Sequence, residues 1–377
     1  MTSEELKQIE DLRSLFLDDV PLLDVRAPIE FADGAFPTAV NLPLIDDIER
    51  HDIGLTYKEQ GQDQAVALGE RLVSGGIKAG RIAAWRDYMA RHPDAVLYCF
   101  RGGMRSQISQ RWLLEEAGIS CPRVRGGYKA MRRFLIDELA RNASLCQPVV
   151  VGGRTGVGKT RLLAGLHPAL DLERLARHRG SAFGRYARPQ PGQVDFENAL
   201  SIALLKLVAA GNRPFLVEDE SRNIGSRHIP PAFYDALQAA PLVLLEASEE
   251  ERVEITLQEY VHDALADFVE LHGNEAGFER WASYLQESLD RIRRRLGGER
   301  HRHARGLLQQ ALDAHRGNGD TTAHRDWIAY LLHTYYDGMY EYQLASKQDR
   351  IVFRGGRAAV YEFLFNKYGI AQGEQQD

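Results

Sequence analysis

The chain predicts an α/β fold in three successive parts: an α/β domain over 1–145, a second α/β domain with a parallel sheet over 146–254, and a mainly helical region over 255–377. Three observations carry this expectation. Short apolar runs alternate with helical patterns from about residue 12 to 246, the order that builds parallel sheets covered by helices. A strand–loop–helix passage at 149–166 restarts that order in mid-chain, just after Pro148. Beyond about residue 255 the apolar spacing turns helical and strands are no longer expected.

Taken in order, Leu22-Leu23-Asp24-Val25 and Ala95-Val96-Leu97-Tyr98 read as buried strands, each ending in a loop. Residues 105–117 read as a helix with Ile108, Trp112 and Leu113 on one side and Gly118 as its stop, and 131–139 as another. Val149-Val150-Val151 opens the second sheet, followed by a helix at 160–166, a basic loop, a helix at 195–210, and strands at 214–218 and 241–246. Helices are then expected at 255–272, 278–296, 303–314 and 323–344, with a disordered tail at 372–377.

Composition bounds the function. With 377 residues there is room for two or three domains of roughly 100–200 residues. The 47 Lys and Arg against 53 Asp and Glu give a net charge of −6, so any contact with nucleic acid must use local patches. Met1 to Lys7 lack a basic stretch leading into an apolar one, and no apolar run nears the ~20 residues that span a bilayer. A cytoplasmic protein with no membrane partner is expected; oligomeric state is left open. Cys99, Cys121 and Cys146 form neither a disulfide framework nor a CxxC metal spacing, so free thiols are expected.

Cys99 follows an apolar strand, and a helix begins about six residues later. The loop Arg101, Gly102, Gly103, Met104, Arg105, Ser106 would wrap backbone N–H groups around the sulfur and aim a helix N-terminus at it. With Arg101 and Arg105 this cradle suits a thiolate, a persulfide or an incoming oxyanion. Cys99, Arg101 and Arg105 are therefore the candidate catalytic residues, and Gly102, Gly103, Met104 and Ser106 the donor loop; the bland alternative is a buried cysteine at a strand end. Cys121 and Cys146 lack such a cradle and read as inert.

Leu23-Asp24-Val25-Arg26-Ala27-Pro28-Ile29-Glu30-Phe31 with the 34–43 segment resembles the opening of a rhodanese domain, and Gly126-Gly127-Tyr128-Lys129-Ala130-Met131 its close. The resemblance implies that Cys99 stands at the persulfide-forming position. Cys99 and Arg105 are six residues apart, longer than sulfurtransferase loops commonly are and similar to phosphatases of the same fold, so the loop would admit a phosphate-sized group.

Gly153, Arg154, Thr155, Gly156, Val157, Gly158, Lys159 and Thr160 make a phosphate-binding P-loop between strand and helix. Lys159 would reach the phosphates and Thr160 a Mg²⁺ ion, with Asp219 or Glu218, at the end of an apolar strand, as carboxylate ligand. A nucleoside triphosphate is the default occupant, but the loop would hold any diphosphate.

Arginines crowd 174–188, 291–302 and 123–133. Each run alone is commonly a solvated face; together they point to RNA, with Arg177, Arg179, Arg185, Arg188, Arg293 and Arg294 as candidate phosphate contacts. Phe183 and Tyr186 could stack on a base or simply pack. The aromatic stretch from Trp327 to Tyr342 reads as packing.

A rhodanese-like domain ahead of a P-loop domain, with Gly180-Ser181-Ala182-Phe183-Gly184 and Val217-Glu218-Asp219-Glu220-Ser221-Arg222, resembles the bacterial tRNA 2-selenouridine synthase family from about residue 12 to 344. The resemblance implies conversion of wobble 2-thiouridine to 2-selenouridine in the tRNAs for lysine, glutamate and glutamine. It implies selenophosphate as selenium donor and an S-geranyl intermediate made from geranyl diphosphate. The P-loop would then hold the diphosphate, Cys99 would carry selenium as a selenosulfide, and the 174–188 loop would meet the anticodon arm. The alternatives are an ATP-dependent sulfurtransferase or kinase with a fused sulfur carrier, a phosphatase on Cys99-x5-Arg105, and a non-catalytic P-loop protein that binds tRNA.

Overall fold

The computed structural model describes residues 6–211 and 214–373. Its contacts group into two compact units: Met1–Arg141 with Gly192–Lys206, and Asn142–Pro191 with Leu207–Asp377. The segments 146–254 and 255–377 thus share one unit, apart from Gly192–Lys206, which belongs to the first.

Five parallel strands form the sheet of the first unit: β1 (Gln8–Ile9), β2 (Leu22–Asp24), β3 (Ala39–Asn41), β4 (Val96–Tyr98) and β5 (Arg123–Val124), in the order β1-β5-β4-β2-β3. Period-2 alternation sorts the side chains. Leu23 and Leu97 face a core with Trp85 and Leu113, whereas Leu22, Val96 and Tyr98 face Met131 and Leu135. Ile202 and Leu205 of the helix Gln193–Ala209 fill this second core. That helix is tied down by Asn198 Nδ2 donating to the Ala35 carbonyl at 2.7 Å and Asp195 accepting from the Ala35 N–H at 2.7 Å. The helix Met104–Ala117 matches expectation, but Gly127–Leu145 is longer than the expected 131–139. Gly126 and Gly127, at φ +76° and +59°, turn the chain into it directly.

The second unit holds β6 (Pro148–Gly152), β7 (Ala169–Leu170), β8 (Phe215–Glu218), β9 (Leu242–Leu245) and β10 (Ile351–Gly355), again all parallel, ordered β10-β9-β6-β8-β7. β10 overturns the expectation that strands end near residue 255. Half-buried and exposed residues alternate along it, the mark of an edge strand, and its single short apolar stretch is broken by Arg354. The following helix Arg357–Tyr368 sinks Val360 and Leu364 into the sheet's core. The helix expected at 160–166 stops at Ala164, because Leu166–His167 pairs with Ala371–Gln372. Gln372 of the expected tail is therefore in a strand, and 374–377 lie outside the described residues.

The helices between Glu249 and Tyr336 pack around Trp281, Leu285, Trp327 and Phe183. Two of them widen for one turn into π-helix, at Gln258–Asp263 and Leu332–Tyr336. No described helix is long and apolar enough to cross a membrane.

Candidate functional site

Cys99 stands at the end of β4, buried, with its Sγ 3.2 Å from Ser106 Oγ. Gly103 caps the helix Met104–Ala117, and its carbonyl accepts from Ser106 Oγ at 2.9 Å. The loop is clamped from outside by the 126–129 segment. Tyr128 N–H donates to the Cys99 carbonyl at 2.9 Å and Lys129 N–H to that of Phe100 at 3.0 Å. A Cβ on Gly127 would lie 2.2 Å from the Cys99 carbonyl oxygen, so no other residue fits there. Arg123 reaches across to the Gly102 carbonyl at 2.8 Å.

Arg105 does not point freely at the sulfur. It forms a two-pronged pair with Glu30, one prong at 2.9 Å, and Arg50 adds a second cation 3.4 Å from the same carboxylate. Burial opposes ionisation of Glu30, but the hydrogen bonds and charge of Arg105 win and hold its carboxyl below the ordinary value. Arg101, Met104 and Arg105 border a cavity of about 830 Å³, walled by apolar side chains from the helices Asp47–Gln60 and Gln62–Leu72. Burial pushes the Cys121 thiol up to about 12 and Cys146 up to about 11, so neither is a thiolate at neutral pH.

In the second unit the P-loop runs between β6 and the helix Lys159–Ala164. Gly156, at φ +83°, lies so close to the Arg252 carbonyl that a Cβ would sit 2.8 Å from it. Gly153, Thr155, Gly156, Gly158, Lys159 and Thr160 line a pocket of about 170 Å³. The other two loop residues turn away: Val157 is buried in the core, and Arg154 pairs with Glu341 at 2.8 Å. Lys159 Nζ donates to the Gly153 carbonyl at 3.1 Å, folded across the loop.

Thr160 Oγ1 donates to Glu173 Oε2 at 2.8 Å, whereas Asp219 is held by both oxygens against Lys347 Nζ at 2.7 Å. The carboxylate beside Thr160 is thus Glu173, and the expected partner Asp219 is already neutralised. Glu173, Glu218 and Glu220 are buried together. Burial raises all three above the ordinary carboxyl value; the charges of Asp171 and Glu173 add to it at Glu218 and that of Glu173 at Glu220, whereas Lys159 and the Thr160 hydroxyl partly offset it at Glu173. Glu218 Oε1 is buried without a hydrogen-bond partner. Both π-turns contribute here, Glu259 and Tyr260 from one and Tyr336 from the other. Among the described residues no group of three or more His, Cys, Asp or Glu is arranged to hold a metal ion.

The candidate RNA contacts divide. Arg179 lines the P-loop pocket, its guanidinium 4.1 Å from the centre of the Tyr186 ring. Arg177 donates to the Pro189 carbonyl at 3.0 Å, Arg185 pairs with Glu287 at 3.1 Å and Arg188 with Glu270 at 3.9 Å. Arg293 and Arg294 are exposed on the helix Asn274–Leu296. Phe183 is unavailable for stacking on a base: it is buried, packed against Tyr260 and Trp327. Trp327 and Tyr336 pack as expected, but Tyr342 is 84% exposed. Glu30, Glu173 and Glu220 are the site residues that spacing alone did not single out.

Comparison with known proteins adds a family. The family described as "tRNA 2-selenouridine synthase AAA domain" matches residues 146–369. A tRNA 2-selenouridine synthase from Bordetella bronchiseptica is 55% identical over 94% of this chain and 96% of its own. The protein of that name from Bordetella petrii is 55% identical over 93% and 94%, and that from Ectopseudomonas mendocina 52% over 95% and 96%.

Proposed function

The chain belongs to the tRNA 2-selenouridine synthase family, a tRNA-modifying enzyme that makes 2-selenouridine, and from that premise we propose that it works in two steps at two sites. In the first, the P-loop binds geranyl diphosphate and the 2-thio sulfur of a wobble uridine displaces the diphosphate. In the second, selenium from selenophosphate replaces the geranylated sulfur at C2, served by the Cys99 loop. The observation that supports this division is that each unit carries its own anion cradle. One is built on a cysteine and an arginine, the other on a lysine and glycines.

At the P-loop, Lys159 and the turned-in N–H groups would neutralise the charge growing on the leaving diphosphate. Thr160 and Glu173, which both line the pocket, are the oxygen donors that would hold a Mg²⁺ ion, and when bound it would supply further neutralisation of that diphosphate. Alkylation makes the sulfur a better leaving group from C2. At the other site Arg101 and Arg105 would take the oxyanion of selenophosphate. Direct delivery to C2 consumes water and releases phosphate. Carriage on Cys99 as a selenosulfide would instead expel phosphite and need two electrons from an external thiol, so the phosphorus product separates the two routes. The tRNA would be met in the cytoplasm at its anticodon arm.

Mass spectrometry of nucleosides tests the reading. Thiouridine-containing tRNA is incubated with enzyme, geranyl diphosphate and selenophosphate, leaving out each donor in turn. A geranylated nucleoside without selenophosphate, and selenouridine with both, are expected. Unchanged thiouridine throughout, with ATP turnover, would favour the ATP-dependent sulfurtransferase.

A further inference from the structure

The second step poses a problem that the P-loop pocket does not solve. A ten-carbon apolar chain hangs from the sulfur that must leave, and it needs cover while C2 is attacked. The P-loop pocket, about 170 Å³ and edged by Lys159, Glu173, Arg179, Asp219 and Glu220, is too small and too charged to bury it. The cavity of the first unit has the opposite character. It encloses about 830 Å³, within the ~300–1,000 Å³ range of small-molecule sites and far more than a phosphate-sized donor needs. Leu44, Ile53, Ala65, Val73, Ile108 and Trp112 wall it, and its polar groups include Glu30, Arg50, Arg101 and Arg105.

That arrangement is amphipathic in the sense the substrate is. Arg101 and Arg105 belong to the loop that carries Cys99, so an anion held by them sits where the chain's apolar bed begins. The helices Asp47–Gln60 and Gln62–Leu72 lie between β3 and β4 and bring Ile53 and Ala65 to this cavity. We propose that this cavity binds the prenyl chain of S-prenylated 2-thiouridine, placing the prenyl sulfur and C2 beside the cysteine loop. The assignment rests on the two-step reading above and extends it to the location and selectivity of the second step. The exchange at C2 is balanced without oxidation. HSe⁻, released from selenophosphate by water, adds to C2; the C2–S bond breaks; prenyl thiolate departs along the cavity; and the proton of HSe⁻ ends on N3.

The test uses the full chain, selenophosphate, and tRNA carrying either S-geranyl- or S-methyl-2-thiouridine prepared chemically, which bypasses the first step. Wild-type enzyme is expected to prefer the S-geranyl substrate in kcat/KM by about a hundredfold or more, from the buried methylenes. Ala65→Phe and Val73→Phe, two separate fillings of the cavity, should each cut that preference at least tenfold, mainly through KM for the S-geranyl substrate. Geranyl thiol alone should bind wild type one to one by calorimetry and the filled variants at least tenfold more weakly. Circular dichroism and the thermal midpoint establish that each variant is folded. No preference in wild type, or a preference that survives in both folded variants, overturns the cavity assignment and leaves the two-step reading standing. Absence of selenouridine from both substrates with wild type overturns the two-step reading itself. In that case binding of geranyl thiol to wild type but not to the filled variants would still support an apolar-chain site.

Discussion

Glu30 governs how Arg105 stands. The carboxylate grips both guanidinium prongs while Arg50 approaches from another side, so the arginine is oriented before any donor arrives. Glu30→Gln keeps the shape but removes the charge. Hydrogen bonds to charged groups of this kind are worth ~1.5–3 kcal/mol, so selenium transfer should fall about ten- to a hundredfold. Geranylation should stay within about twofold, and a rise in KM for selenophosphate would mark Glu30 as a positioning residue. With selenium carried on Cys99, Cys99→Ser should abolish selenation while geranylation persists, whereas direct delivery as HSe⁻ leaves part of the selenation in place; Lys159→Ala should suppress geranylation, all read from the nucleoside mass spectrum. Loss of both activities from the cysteine change alone would sink the division of labour. Local spacing made the Cys99 and Lys159 loops legible in the sequence, because a strand, a glycine turn and a helix start are all near neighbours. Glu30 was not legible as a partner. It lies 75 residues from Arg105, and only the pairing of β2 with β4 brings the two together.

At the scale of elements, β10 is the strand that local pattern missed. Helical spacing before it and a charged residue within it hide a five-residue edge strand, and only its pairing with β9 defines it. It also brings in the helix that buries Val360 and Leu364, and Ile370 just beyond. A chain ending after Arg350 would lose those three side chains from the core, on the order of 5 kcal/mol, comparable to a domain's whole stability. Its thermal scan should lose the transition of the second unit, along with protection of that unit by geranyl diphosphate. The π-turns were equally hidden: one extra residue per turn leaves hydrophobic spacing almost unchanged. Yet these turns carry Tyr260 and Tyr336 to the P-loop pocket.

Across the whole molecule, charge is the property with measurable reach. Glu173, Glu218 and Glu220 hold protons more tightly folded than unfolded. Their contribution to stability is therefore fully present below the ordinary value of 4.5 and lost as pH rises through the raised values. The midpoint of unliganded protein should fall between pH 5 and pH 8, and Glu220→Gln should flatten that fall. With a net charge of −6, tRNA must be attracted by patches rather than by a global field. Arg293 and Arg294 are exposed, and Arg185 and Arg188, exposed as well, rest on the carboxylates of Glu287 and Glu270. Replacing both by Ala should weaken tRNA binding and reduce the slope of log affinity against log salt by about 1–2.

The parallel sheet of the second unit has a further consequence during synthesis. β9 leaves the ribosome long before β10, whose first residue is Ile351, so the outer edge of Leu242–Leu245 waits while residues 246–350 are made. At roughly 5–20 residues per second that wait is about 5–20 s. For that time a nascent chain presents four apolar residues with unpaired backbone groups, a template for pairing between neighbouring polysomal chains. Slowing translation between those two strands should therefore lower the yield of active enzyme, and chaperone occupancy should peak over the same stretch.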